Sequence, residues 1–174
     1  MVSGRWHLTD AVEKYRIWEE ALGNKELAYR LFSVALNLAE ERRGGLFVIL
    51  DDPSRARELL SKHDLLHQQH DSAKSGSKNQ LHYLLPSQRV TEISQPVLET
   101  IARIDGSIVL DCDGNLLAFG AILRHNPVAI TADEVVEGSR TAAAIAASQF
   151  GNVLKVSEDG RLSFYKRGHC AWNL

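Results

Sequence analysis

Residues 106–123 read GSIVLDCDGNLLAFGAIL, and this stretch carries the strongest β signal in the 174-residue chain. Two apolar runs flank the residues Asp113, Gly114 and Asn115. An Asp-Gly pair between two apolar runs is typical of a tight β-hairpin turn. The sequence therefore predicts two antiparallel strands here, and a sheet against which other elements pack.

Two further segments extend the predicted sheet. Residues 45–50, GLFVIL, are short and apolar, as is typical of a buried strand. Residues 152–168, NVLKVSEDGRLSFYKRG, contain two more runs with β character, separated by Glu158, Asp159 and Gly160. They predict a second hairpin that turns at these three residues.

Helical signals fill most of the remaining chain. Apolar residues recur at helical spacing, and cap or stop residues stand at the ends of these runs. The predicted helices are residues 9–22, capped by Thr9 or Asp10; residues 25–43, ended by Gly44-Gly45; a helix that starts around Pro53 and runs to residue 69; residues 95–104; and the alanine-rich run after Gly138. Residues 70–80 and 125–138 are expected to be loops, and residues 82–86 and 89–94 short strands or irregular segments.

The order of these elements is helices, strand, helix, hairpin, helix, hairpin. This order predicts the α/β class, as a single domain with a central mixed β-sheet flanked by helices. We expect residues 1–24 to form an N-terminal helical segment and residues 25–174 to form the domain that carries the motifs described below.

Composition limits the classes of function. The net charge of −2 argues against a nucleic-acid partner, because phosphate-backbone contacts need a basic face. Cys112 and Cys170 lie far apart and form no Cys-x-x-Cys spacing, which favours a reduced, cytoplasmic setting. No apolar run approaches the roughly 20 residues that span a bilayer, so no membrane segment is expected.

Asp105, Gly106 and Ser107 come directly before the first hairpin strand. An aspartate at a strand edge is able to hold a divalent metal or to accept a hydrogen bond from a ribose hydroxyl. The glycine would let a ligand or another backbone segment come close. On these residues alone, an ordinary turn capped by the aspartate is the favoured interpretation.

The stretch EGSRTAAAIAAS, residues 137–148, predicts a tightly packed helix with a possible anion site at its start. Ser139 is expected to cap the helix, and the first-turn amides and the helix dipole favour negative charge there. Arg140 would add a guanidinium fork for a phosphate. On this stretch alone, a capped packing helix with a solvent-exposed arginine is the favoured interpretation.

Two groups of residues are candidate metal ligands. His63, His67 and His70 share one face if the segment is helical, which is compatible with a zinc site, although a solvated histidine face is the simpler interpretation. Glu158 and Asp159 lie on the second hairpin turn, either as solvated turn residues or as carboxylates that face a metal.

Four motifs together resemble the diadenylate cyclase domain family, also known as the DisA N-terminal domain. That family has a strand of the type GALIVI, a DGA motif, a GTRHR motif and a VSEE turn, in this order. The chain has GLFVIL, Asp105-Gly106-Ser107, Gly138-Ser139-Arg140 and VSED in the same order. The resemblance covers residues 25 to 168.

The resemblance implies a chemistry and a partner. The family condenses two ATP molecules into cyclic di-AMP with Mg²⁺ or Mn²⁺, and two domains face each other, so a homo-oligomer is implied. Asp105 corresponds to the catalytic aspartate near the metal and the attacking ribose 3′-hydroxyl. Asp159 corresponds to the second glutamate of the VSEE motif, near the metal.

The resemblance also implies the residues that contact the nucleotide. Gly106 and Ser107 complete the DGA-like motif, with serine in place of alanine. Leu123 corresponds to a residue that lines the adenine pocket. The phosphate-binding stretch is Gly138, Ser139, Arg140 and Thr141.

The chain departs from the family at its phosphate motif. Thr141 and Ala142 stand where the family has histidine and a second arginine. Loss of cationic groups at a phosphoryl-transfer site removes transition-state stabilisation, so catalysis is expected to be impaired while binding survives. Only another segment, such as Arg124 or His125, would be able to replace these groups.

Three hypotheses follow. The first is a degenerate, sensor-type domain that binds an adenine nucleotide or a cyclic dinucleotide without synthesis. The second is an active diadenylate cyclase with a divergent phosphate motif. The third is an interaction or oligomerisation domain that binds no nucleotide.

Overall fold

The computed structural model describes residues 8–66, 85, 88–124 and 138–174. The helices are α1 (Leu8–Leu22), α2 (Lys25–Glu40), α3 (Ala56–Leu59), which follows a 3₁₀ turn at Pro53–Arg55, α4 (Gln95–Ala102) and α5 (Ser139–Ala147). The strands are β1 (Gly45–Leu50), β2 (Ser107–Asp111), β3 (Leu116–Ala121), β4 (Gly151–Val156), β5 (Leu162–Lys166) and β6 (His169–Asn173).

One six-stranded sheet organises these elements, in the order β3-β2-β1-β4-β5-β6. Only β1 and β2 are parallel, and every other neighbouring pair is antiparallel. The central strand β1 is buried along its whole length because it has a strand on each side and helices on both faces. The predicted α/β class and the mixed sheet flanked by helices are confirmed.

Alternating side chains of β1 divide the core into two layers. Phe47 and Ile49 face the layer that contains α1, α2 and α4, whereas Leu46, Val48 and Leu50 face the layer that contains α3 and α5. This alternation is what a two-residue strand period dictates. No described helix is long and apolar enough to cross a membrane.

The N-terminal helix α1 packs into the first of these layers. Its Trp18 is fully buried, lies edge-on to Phe164 and donates a hydrogen bond from Nε1 to the Ala28 carbonyl at 3.0 Å. Helix α2 then starts at the N-cap Asn24, whose side chain accepts a hydrogen bond from the Leu27 amide. The proposed segment boundary at residue 24 stays a prediction.

Both predicted hairpins are present. In the first, the Asp111 carboxylate accepts hydrogen bonds from the Asp113 amide at 3.0 Å and from the Asn115 amide and side chain, both at 2.8 Å. The second joins β4 to β5 around residues 157–161. The sequence prediction omitted β6, which follows a turn where Arg167 and Gly168 both have positive φ angles.

The helix predicted from Pro53 to residue 69 is wrong in length. The 3₁₀ turn and α3 end at Leu59, and Leu60 is extended. The Leu59 carbonyl accepts a hydrogen bond at 2.7 Å from the amide of Arg124, so a tertiary contact takes the acceptor at the end of the helix. His63 lies in a turn and not in the helix that it was predicted to share with His67 and His70. Those two histidines lie outside the described residues.

Several predicted boundaries also shift. Helix α1 begins at Leu8, so Thr9 and Asp10 lie in its first turn and do not cap it; Asp10 pairs with Lys14 at 2.6 Å. Helix α2 ends at Glu40 and not at residue 43, because Arg42 has the left-handed φ of 54°. Of residues 89–94, Arg89 forms an isolated bridge to the first hairpin. The predicted loops 70–80 and 125–137 lie outside the described residues.

Candidate functional site

An open cleft of about 220 Å³ lies at the amino-terminal ends of the parallel strands β1 and β2. The end of β3 and the start of α5 close its sides. The residues that line it are Leu46, Asp105, Gly106, Ser107, Ala121, Ile122, Leu123, Ser139, Arg140 and Ala143. Six of the residues that the sequence singled out therefore meet at one place, although they come from three separate segments.

Gly106 and Ser107 shape the cleft through backbone packing. Gly106 has a φ of +115°, and a Cβ at this position would lie 2.5 Å from the Gly120 carbonyl carbon. The buried hydroxyl of Ser107 donates a hydrogen bond to the Ala121 carbonyl at 2.9 Å. Both residues thus hold the start of β2 against the end of β3. This packing alone explains why a glycine and a serine stand at these positions, and it requires no ligand.

Asp105 stands at the rim of the cleft and not inside it. Its side chain is 96% exposed, and its Oδ1 lies 3.7 Å from Nη2 of Arg140. At this exposure the carboxylate keeps its hydration and remains available to a partner from solvent.

Arg140 is the central charged group of the site. Its Nη1 donates a hydrogen bond to Oε1 of Glu158 at 2.7 Å, and the guanidinium also faces Asp105. It packs so closely on Gly44 that a Cβ there would lie 2.5 Å from Nη1. The sequence prediction treated Gly44 only as a helix stop; its role under Arg140 depends on a contact between distant segments.

The start of α5 differs from the prediction. Gly138, with a φ of 90°, occupies the N-cap position, and no side chain caps the helix, so Ser139 is the first helical residue and not the cap. The Gly138 carbonyl accepts hydrogen bonds at 3.2 Å from the Thr141 and Ala142 amides. Ser139 and Arg140 line the cleft, and the positive end of the helix dipole points to the same side.

Lys155 on β4 is a cation that the sequence prediction missed. It is nine-tenths buried, and its Nζ donates a hydrogen bond to Oγ1 of Thr141 at 2.9 Å. Burial lowers the pKa of the Lys155 ammonium. A lysine in the strand NVLKV, on the same face as Val153, is the signal that identifies it. Of the suggested replacements, Arg124 is exposed and His125 lies outside the described residues.

The second hairpin turn presents Glu158, and not Asp159, to Arg140. The Asp159 carboxylate pairs with Arg161, at 3.1 Å from Nε, and does not line the cleft. Among the described residues, no group of three histidine, cysteine or acidic side chains is placed to hold a metal ion. Asp105 and Glu158 both face the Arg140 guanidinium, and the expected Mg²⁺ or Mn²⁺ stays a prediction.

Comparisons with known proteins place the fold. No protein-family model and no curated protein matches the chain. A hypothetical membrane spanning protein from Bacillus cereus is similar in structure, with a TM-score of 0.58 and 20% identity over 84% of this chain and 62% of that protein. DacA from Staphylococcus aureus, a diadenylate cyclase, matches with a TM-score of 0.51 and 17% identity over 84% of this chain and 85% of that one.

These similarities concern the fold. At 17% identity, the similarity to DacA supports a diadenylate cyclase-like fold, as the four sequence motifs suggested. The chain spans less than two thirds of the length of the Bacillus cereus protein.

Proposed function

We propose that this chain is a nucleotide-binding domain of the diadenylate cyclase-like fold, which binds an adenine nucleotide or a cyclic dinucleotide in the cleft. The observation that carries the proposal is the position of Arg140. Its guanidinium stands at the mouth of an apolar cleft, beside the start of α5, where a phosphate bonded to a bound nucleoside would lie.

The interior of the cleft suits a nucleobase. Leu46, Ala121, Leu123 and Ala143 supply apolar walls, and ligand sites are mostly apolar with a few placed polar groups. Its volume of about 220 Å³ is below the roughly 300–1,000 Å³ of sites that enclose drug-sized ligands. One cleft therefore holds one nucleoside, and the remainder of a larger ligand extends past the rim.

The charges near α5 favour binding over synthesis. The first turn of the helix offers one arginine, while Thr141 and Ala142 follow where the related enzymes carry basic residues. Lys155 is close, but its ammonium is buried and bonded to Thr141. Stabilising a polyphosphate transition state takes several preorganised cations or a metal ion.

An active diadenylate cyclase, which condenses two ATP molecules with Mg²⁺ or Mn²⁺, is the second candidate. The observation in its favour is Asp105, whose carboxylate is almost fully exposed beside the cleft. A domain that serves interaction or oligomerisation without a nucleotide is the third, and the experiments below separate all three.

The first test is a thermal-shift panel with ATP, ADP, AMP and cyclic di-AMP. A ligand that binds the folded state raises the melting temperature by mass action. We expect at least one to do so, and Arg140→Ala to weaken its binding about tenfold or more, because a charge-assisted hydrogen bond is lost. If none of these ligands shifts the transition at large excess, the interaction-domain hypothesis replaces ours.

Arg55→Ala is the matched control. Arg55 also pairs with a glutamate, Glu58, at 2.9 Å, and its side chain is 44% exposed against 37% for Arg140. It lies at the opposite end of the sheet, so its removal is expected to leave ligand binding unchanged.

Chromatography after incubation with ATP and Mn²⁺ then tests synthesis. Cyclic di-AMP that forms with the wild type, but not with Asp105→Asn, would establish the activity of a diadenylate cyclase.

A further inference from the structure

The guanidinium of Arg140 already holds an anionic partner from the protein itself. Glu158 places a carboxylate oxygen 2.7 Å from Nη1, which is the geometry that a bound phosphate oxygen would adopt. Among the described residues that line the cleft, Arg140 is the one cation. A phosphate ligand therefore has to share this guanidinium with Glu158 or displace it.

Both members of the pair are held in position by packing. Arg140 belongs to the first turn of α5 and lies flat on Gly44. Glu158 belongs to a tight turn, closed by hydrogen bonds from the Gly160 amide to the Ser157 carbonyl at 3.0 Å and from the Ser157 amide to the Arg161 carbonyl at 2.9 Å. The two backbones therefore bring the carboxylate within reach of the guanidinium, and the Glu158 side chain itself is 71% exposed.

The charge at the cleft mouth is negative as a result. Asp105 and Glu158 both face the single guanidinium, at 3.7 and 2.7 Å. Because both carboxylates face the same guanidinium, a further negative charge brought to Arg140 is repelled by them, even at the effective dielectric constant of a protein surface. A triphosphate would bring several negative charges to this place, whereas a phosphodiester brings one per phosphate and a nucleoside brings none.

From this geometry we propose that Glu158 is a specificity-determining residue of the nucleotide site. It competes with phosphate for Arg140, disfavours polyphosphates in the absence of a metal ion, and selects adenine ligands whose phosphate at the cleft carries a single charge, such as a cyclic dinucleotide. This inference rests on the proposed function for the identity of the ligand. The competition itself depends only on the Arg140–Glu158 pair.

The test compares the wild type with Glu158→Gln, which keeps the size of the side chain and removes its charge. Each protein is titrated by calorimetry with adenosine, cyclic di-AMP, ATP and inorganic pyrophosphate, at low ionic strength and in the presence of a chelator. Glu58→Gln is the matched control, because it removes the same charge from an exposed Arg–Glu pair, with Arg55, at the other end of the sheet.

The wild type is expected to bind cyclic di-AMP more tightly than ATP and to bind pyrophosphate below detection. Glu158→Gln should raise the affinity for ATP about tenfold, leave adenosine within about twofold, and make pyrophosphate binding measurable. Because surface charges are screened, the gain for ATP should shrink as salt is added. Glu58→Gln should behave as the wild type does.

The outcomes separate the two proposals. If adenine ligands bind but Glu158→Gln changes neither ATP nor pyrophosphate binding, the role of Glu158 is overturned and the proposed function stands. If no adenine ligand binds, but pyrophosphate binds to Glu158→Gln alone, the competition at Arg140 is supported and the proposed function fails. Wild-type protein that binds ATP as tightly as cyclic di-AMP also overturns the selectivity.

Discussion

The two ends of the parallel pair β1–β2 carry similar residues, but use them differently. At the carboxyl end, the buried carboxylate of Asp111 accepts three hydrogen bonds from its own hairpin turn. Nearby, Arg55 pairs with Glu58 and also stacks over the ring of Phe150 at 4.3 Å. These polar groups are engaged in holding the local structure.

At the amino end, the same residue types border the cleft. The Asp105 carboxylate is exposed, and the pair between Arg140 and Glu158 stands at the rim. In open α/β sheets, ligands usually bind at the carboxyl ends of parallel strands. Here the antiparallel strands β3 and β4 flank the parallel pair, and α5 starts over its amino end, so the exposed helix start and the cleft lie at that end. The position of polar groups in the topology, and not their type, thus separates the groups proposed to bind a ligand from the structural ones.

The largest expected effect comes from Gly106→Ala, which disturbs the backbone packing at the amino end of β2. The added Cβ would lie 2.5 Å from the Gly120 carbonyl carbon and 2.7 Å from the Ala121 amide nitrogen, and the φ of +115° is itself unfavourable for alanine. We expect a loss of about 3 kcal/mol or more in the free energy of unfolding, measured by urea denaturation.

Gly138→Ala is the control for this substitution. Gly138 also has a positive φ, of 90°, but a Cβ there would meet nothing within 4 Å. Only the conformational strain remains, and it should cost about 1 kcal/mol. Equal losses for both variants would show that the clash between β2 and β3 is not the source of the effect.

The next prediction compares substitutions of Asp111, at the carboxyl end, and Asp105, at the amino end. Asp111→Ala removes the acceptor of three hydrogen bonds and leaves the turn amides without partners, so it should destabilise the protein by about 3 kcal/mol. Asp105→Ala removes an exposed carboxylate and should leave the unfolding free energy unchanged within error. A large loss for Asp105→Ala would mean that the amino end is structural as well, and would weaken the contrast.

Much of the fold could be predicted because its signals are local. The apolar run at residues 45–50, and the two hairpins with their Asp-Gly turns, specify strands without reference to the rest of the chain. The exposed β6 has no such signal: its sequence HCAWN is not an apolar run, and it is a strand because β5 offers it an edge. The early stop at Leu59 likewise depends on a hydrogen bond from Arg124, 65 positions along the chain.

The residues of the candidate site also divide into those that local motifs predicted and those that depend on contacts between distant segments. The motifs pointed to Asp105, Ser139 and Arg140, which the structure brings to one cleft. The resemblance favoured Asp159 over Glu158 near the site, and a turn sequence alone does not show which of two adjacent carboxylates faces Arg140. Lys155 and Gly44 were missed since both act across long stretches of chain, on Thr141 and Arg140.

The smallest expected effect concerns Lys155, a buried cation that pairs in register with Leu46 at the amino end of β1, and it depends on pH. Burial lowers the pKa of its ammonium below the value of about 10.4 found in unfolded chains. Between the folded-state and unfolded-state pKa values of Lys155, the unfolded state binds more protons, so the free energy of unfolding of the wild type rises with pH in this range. Below the folded-state pKa, the lysine is charged in both states, and the full free-energy cost of burying its charge is present. Lys155→Met should therefore stabilise the protein by about 1 kcal/mol at pH 7.

That gain should shrink as the pH rises through the folded-state pKa, because the folded wild type then loses its buried charge, and well above about 10.4 the lysine is neutral in both states. Urea denaturation of both proteins from pH 7 to pH 10 measures the difference. Lys25→Met removes the same charge from a side chain that is 87% exposed, and should show no comparable dependence on pH. A variant that is less stable than the wild type at pH 7 would mean that the hydrogen bond to Thr141 outweighs desolvation, and that this face of α5 requires its cation.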